Sequence, residues 1–190
     1  GLNRLSMEGG IIMDPRGWHH VSFSKRAADD VSNTDYENAK LPNMRSHLTL
    51  ADPSTAEYYP EFEDGITTQI QSIFPTFLLQ QIQNCIGVRQ LVPRGLDQCE
   101  LIWTLLGYED DDENINAIRH KQSNMVGPAG FVSLEDGAVL DFVQRALREE
   151  PDGSSVVELG GSDIELKTTH RATEGAVRGY WRAYREVMGL

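Results

Sequence analysis

Cysteine is scarce in this chain. The 190 residues include 2 cysteines, Cys85 and Cys99, and neither sits in a Cys-x-x-Cys or Cys-x-His pattern. That excludes a disulfide-stapled scaffold and a cysteine-based zinc site. Basic residues are also short, with 17 Lys and Arg against 29 Asp and Glu and a net charge of -12. Nucleic acid and anionic membranes both demand a basic face, so neither is expected as a main partner. Long apolar runs are missing too. A run such as Leu101 to Leu106 falls far short of the roughly 20 residues of a spanning helix, and the first twenty residues carry charges where a signal peptide is apolar. These absences predict a soluble, cytoplasmic protein. An apolar content of 39% over this length suffices for one sizeable core, so a single domain over residues 1–190 is expected.

The pattern along the chain is strands first and helices last. Gly9 to Met13 and Trp18 to Ser24 are β-prone runs around Asp14-Pro15-Arg16-Gly17, in which proline presets a turn and glycine relieves its exit, predicting a hairpin. Residues 26–62 are rich in Asp, Asn, Ser and Pro, with short helices possible over 34–46 and 53–62. Phe74 through Val92 and Cys99 to Tyr108, separated by Pro93-Arg94-Gly95-Leu96-Asp97, read as a longer antiparallel pair. Glutamines fall on both faces of its first strand, which predicts a partly polar environment and a concave sheet able to floor a pocket.

Three helices are predicted after the sheet. The first covers 114–125 behind the acidic run Glu109 to Glu113, read as a solvated N-terminal cap. The second covers 134–148 with an apolar face of Ala138, Val139, Phe142, Val143, Ala146 and Leu147. The third covers 173–188, with Thr173 as N-cap and Gly189 as stop. The last two are expected to pack on the sheet. The fold class is therefore α+β, a curved antiparallel sheet with helices on one side.

Candidate chemistry centres on Gly127-Pro128-Ala129-Gly130-Phe131, which runs into a helix carrying Glu135 and Asp136. Adjacent helical residues project about 100° apart, so the two carboxylates cannot share one bond as a glycosidase dyad does. Acidic capping of the first turn is the plain structural reading. His19 and His20 are neighbours in a strand and point to opposite faces, so at most one could join a metal with Asp136. His47, His120 and His170 offer no better spacing. Arg89 and Arg119 read as surface arginines, with pairing to a ligand carboxylate as the alternative.

The Gly127 to Gly137 segment resembles the one that delivers the carboxylate iron ligand in the α (large) subunits of Rieske-type aromatic-ring-hydroxylating oxygenases. There, Gly-Pro-Ala-Gly-Phe leads after five residues to the ligating aspartate, and the position matching it here is Asp136. Gly17-Trp18-His19-His20-Val21-Ser22, Phe74-Pro75-Thr76, Arg94-Gly95 and Ala176 to Arg185 also resemble this family's catalytic domain. The likeness spans nearly the whole chain and is strongest to the salicylate, anthranilate and terephthalate hydroxylase branch.

The resemblance implies a helix-grip domain, with the sheet packed on a long C-terminal helix, that belongs to a terminal oxygenase. It implies mononuclear Fe(II) and O2 acting on a small aromatic acid. It further implies a [2Fe-2S] Rieske cluster, a ferredoxin and a reductase supplying NAD(P)H electrons, and α-subunit trimers with a possible small β subunit. Asp136 would be the catalytic iron ligand, and Glu135 a capping residue. Val126 and Val132 would line the substrate pocket, their small side chains suiting one ring. The family's Asp-x2-His-x4-His motif and its cluster motif have no counterpart here, and the resemblance implies that both lie upstream of Gly1. The 190 residues alone are then expected to be inactive. The alternative is a helix-grip module that carries small hydrophobic ligands without catalysis.

Overall fold

A computed structural model describes residues 8–25, 52–150, 152–154, 163–169 and 173–190. The segment Gly1 to Ser6, the predicted helix over 34–46, His47 and His170 lie outside them. No described helix is long and apolar enough to cross a membrane.

The first hairpin joins β1 (Gly9–Met13) to β2 (His20–Lys25). Its turn is held by Asp14, which accepts backbone N–H groups from Arg16 at 3.2 Å and His19 at 2.8 Å. Gly17 leaves the turn at φ 74°, the left-handed region that glycine enters without a Cβ penalty. The next strand, β3 (Ile66–Ile73), is absent from the sequence reading. Its Thr67, Thr68, Gln69, Gln71 and Ser72 give it little apolar alternation, yet it fills the place between β2 and β4 (Phe77–Ile82).

The run from Phe74 to Val92, expected as one long strand, is two: β4 and β5 (Cys85–Pro93) form a hairpin. Gln83 adopts φ 55°, and Asn84 is fully buried with both ends of its side chain bonded. Its Oδ1 accepts from Tyr59 N at 2.9 Å, and its Nδ2 donates to Tyr59 O at 2.7 Å. Asn84 thus offers the backbone a turn that a pure alternation pattern cannot reveal. β6 (Cys99–Leu106) pairs with β5, as expected.

Helices α1 (Glu113–Val126) and α2 (Phe131–Glu149) follow, then the short β7 (Lys167–Thr168) and α3 (Gly175–Met188). The sheet order is β6-β5-β4-β3-β2-β1-β7, with every neighbouring pair antiparallel. This is the expected α+β architecture.

Residues directly opposite in an antiparallel sheet share a face. Met13, His20, Ser72, Leu78, Arg89 and Trp103 therefore form one row across six strands. α3 lies against this face. A Cβ on Gly179 would stand 2.3 Å from Gly17 O and 3.4 Å from Met13 Sδ, so only glycine permits the approach. α1 caps the β4–β5 turn, with Gln122 accepting Asn84 N–H at 2.8 Å. The expectation that α2 packs on the sheet is corrected: no α2 residue is buried, and Phe142 is 64% exposed. An apolar helix face specifies that something covers it, not that this sheet does.

Candidate functional site

The site is built on the link between α1 and α2. Asp112 caps α1, its Oδ1 accepting Ile115 N–H at 2.8 Å. At the other end, a Cβ on Gly127 would lie 2.4 Å from Ser123 O, and one on Gly130 would lie 2.4 Å from Met125 O. Glycines at both positions let α2 start at Phe131 almost on top of the last turn of α1. Gly130 N–H donates to Gly127 O at 2.9 Å, and Ser133 Oγ donates to Val126 O at 3.3 Å. Val126 is buried at one end of this link, while Val132 is 50% exposed at the other.

Asp136 lies one and a half turns into α2 and is exposed, as is Glu135. Its carboxylate is close enough to act electrostatically on Arg89 of β5: burial lowers the Arg89 pKa and Asp136 partly restores it. Asp136 of α2 is therefore within electrostatic reach of Arg89 in the six-residue row. Arg89 is half-buried rather than at the surface, with its guanidinium 5.1 Å from the centre of the Trp103 ring. Its Nε is buried with no hydrogen-bond partner among the described residues. A desolvated cation without a bonded anion stands ready for a carboxylate.

Arg119 corrects the sequence reading in the opposite way. It is 5% exposed, and all of its donors are used. Nε and Nη2 fork onto Asp111 at 2.8 Å each, Nη1 reaches Glu61 at 3.2 Å and Asn84 O at 2.5 Å, and Nη2 also binds Glu61. Hydrogen bonds from Arg119 hold the Asp111 carboxyl below its ordinary pKa, and those carboxylates in turn raise the pKa of Arg119. Arg119 is a structural clamp with no donor left for a ligand. Sequence reasoning could not see this cluster because Glu61 and Arg119 are 58 residues apart.

The histidines stand elsewhere. His19 Nδ1 accepts Phe74 N–H at 3.1 Å. His20 lies on the same face as Arg89 but three strands away, roughly 14 Å at about 4.8 Å per strand. His120 is exposed on α1. Among the described residues, no three His, Cys, Asp or Glu side chains are grouped to hold a metal. Asp136 offers one carboxylate and no described imidazole joins it, so these residues do not by themselves fit an iron site.

No family model matches the chain. Named relatives do. It is 50% identical over 190 residues to a Comamonas terephthalate 1,2-dioxygenase terminal oxygenase component, subunit alpha 2, covering 99% of this chain and 45% of that protein. It is 35% identical over 187 residues to the Burkholderia cepacia anthranilate 1,2-dioxygenase large subunit, covering 98% and 44%. It is 32% identical over 190 residues to the large oxygenase component of a Ralstonia salicylate 5-hydroxylase, covering 100% and 44%. The chain thus spans less than half the length of these relatives. Its fold matches naphthalene 1,2-dioxygenase from Rhodococcus, with a TM-score of 0.66 over 97% of this chain and 46% of that one, at 12% identity. With named large subunits matching it from end to end over under half of their own length, the chain is similar to a portion of the α (large) subunits of the aromatic-ring-hydroxylating oxygenases.

Proposed function

We propose that this chain is the catalytic portion of a terminal oxygenase that hydroxylates a single-ring aromatic carboxylate. The observation that carries the reading is Arg89, a half-buried guanidinium 5.1 Å from the centre of the Trp103 ring, with its Nε buried and unbonded among the described residues and Asp136 within electrostatic reach. The three relatives are named for terephthalate, anthranilate and salicylate, each a benzene ring bearing carboxylate. Arg89 is the residue on this face that can hold such a group through paired N–H donors.

Asp136 is assigned as the carboxylate ligand of mononuclear iron, with the two histidine ligands supplied from outside the described residues. Iron so held, fed by NAD(P)H through a reductase, a ferredoxin and a [2Fe-2S] Rieske cluster, supplies the O2 activation that ring hydroxylation requires. The residues of this chain position the ring. Arg89 fixes the carboxylate, Trp103 fixes Arg89, and Val126 and Val132, at the two ends of the α1–α2 link, are assigned to the substrate side of the site as small side chains that suit one ring. The 190 residues are taken as one domain that works within a larger α subunit, in trimers with or without a small β subunit. α2 supports that arrangement, since further sequence of the kind the relatives possess would cover its bare apolar side.

The test is made in the intact oxygenase. Asp136→Ala is expected to abolish hydroxylated product, and Arg89→Gln to raise KM for the aromatic acid at least tenfold with a smaller effect on kcat. Undiminished product with Asp136→Ala removes the ligand assignment, and an unchanged KM in Arg89→Gln removes the anchor. The 190-residue chain alone is expected to bind iron weakly, so stoichiometric iron in a metal analysis of it would contradict the proposed division of ligands.

A further inference from the structure

The helix-facing side of the sheet holds a second concavity, at the end where β3 turns into β4. It encloses about 140 Å³. Trp18, Phe74 and Tyr180 wall it and Leu78 and Leu91 floor it, with Tyr180 contributed by α3. The three rings brace one another: Trp18 and Phe74 stand 5.6 Å apart at 58°, and Phe74 and Tyr180 stand 5.4 Å apart at 59°. Tilted pairs of this kind are favourable in themselves, so the walls are set before any ligand arrives.

Size and charge then select the occupant. An apolar cavity of roughly 150 Å³ takes a benzene molecule, which places this one at a single ring and excludes two fused rings. No Asp, Glu, Lys or Arg lines it. His20, which does, has its pKa lowered by burial and by neighbouring His19, which favours its neutral form. An anionic ligand gains nothing here and loses its hydration.

Two lining residues also leave a polar atom unmet. Trp18 Nε1 and His20 Nδ1 are buried without hydrogen-bond partners among the described residues. Core packing alone leaves that cost standing. A hydroxylated ring in the cavity would bring a hydrogen-bonding group to a lining that holds both residues.

We propose that this cavity is a binding site for an uncharged, phenol-sized aromatic molecule, distinct from the Arg89–Asp136 site. The inference does not depend on the oxygenase reading, because it uses none of the same side chains. Arg89 is the cross-strand neighbour of Leu78 but does not line the cavity, and its guanidinium lies 5.1 Å from the Trp103 ring of β6.

Titration of the 190-residue chain with 4-fluorophenol, followed by fluorine NMR, tests it. A saturable shift is expected, with 4-fluorobenzoate failing to displace the ligand and 6-fluoro-2-naphthol failing to bind. Leu91→Phe fills the cavity and is expected to weaken 4-fluorophenol at least tenfold. Tyr180→Ala opens one wall from an exposed helix position and is expected to admit the naphthol, which keeps the test decisive if Leu91→Phe does not fold. Absence of a saturable shift overturns the proposal, as does binding that both variants leave unchanged. Binding lost in Arg89→Gln places the ligand at the other site and also overturns it.

Discussion

The polar helix is the buried one and the apolar helix is the bare one. α1 carries Asn114, Asn116, Arg119, His120, Lys121 and Gln122, yet it buries Ile115, Ile118, Arg119, Gln122 and Val126. α2 carries Val132, Leu134, Val139, Leu140, Phe142, Val143 and Leu147, each at least half exposed. The difference lies in partners. Arg119 and Gln122 enter the interior because Asp111, Glu61, Asn84 and Glu57 meet their donors and acceptors there, and a buried polar group is tolerable once every hydrogen bond is made. α2 meets no such surface among the described residues. A contiguous apolar face left open at that scale marks a contact still to be made.

This contrast can be broken most severely at Arg119. Arg119→Ala leaves Glu61 and Asp111 without their cation and Asn84 O without its donor, and is expected to cost about 3–5 kcal/mol, read from the midpoint of urea unfolding. A loss under about 1 kcal/mol would mean the clamp behaves as a surface pair. Gly130→Ala is next. Its Cβ meets Met125 backbone at 2.4–2.5 Å, so the α1–α2 link must shift, at about 1–3 kcal/mol by analogy with overpacking; unchanged unfolding would show that α2 is free to swing.

Acid sharpens the comparison without mutation. The folded Asp111 pKa lies below the ordinary 3.8, so its contribution is complete above that value and is lost as pH falls through the lowered one. The stability advantage of the wild type over Asp111→Asn should therefore shrink in thermal melts below about pH 4. A pH-independent difference would exclude this linkage. The smallest effect is expected on α2, where Phe142→Ser in the chain alone should change stability by no more than about 0.5 kcal/mol. A larger loss in the same urea titration would reveal a partner for that face.

Parts of this architecture are plain in the residues. The β1–β2 hairpin follows from Asp14-Pro15-Arg16-Gly17, and the α1–α2 junction follows from Gly127-Pro128 and Gly130. That His19 and His20 diverge follows from strand geometry, and His19 is indeed engaged with Phe74 N–H. β3 was illegible because its threonines and glutamines mimic a loop, while its pairing on both sides comes from β2 and β4. Gln83-Asn84 was illegible as a turn because the bonds that stabilise it come from Tyr59, Glu61 and Gln122. At the candidate site, the resemblance singled out Asp136 through its spacing from Phe131, whereas Arg89 and Arg119 looked alike.

The sequence by itself determined the first hairpin, the three helices, the acidic charge, the family likeness and the spacing that singles out Asp136. These depend on local periodicity, turn chemistry and spacing along the chain. Tertiary structure alone decided which arginine is a satisfied clamp and which a free cation, and which helix is core and which is surface. Those outcomes turn on groups brought together from distant parts of the chain, as when Glu61 meets Arg119 and Arg89 meets Trp103 and Asp136. Burial of a charge is settled by what surrounds it, and no stretch of sequence carries its own surroundings.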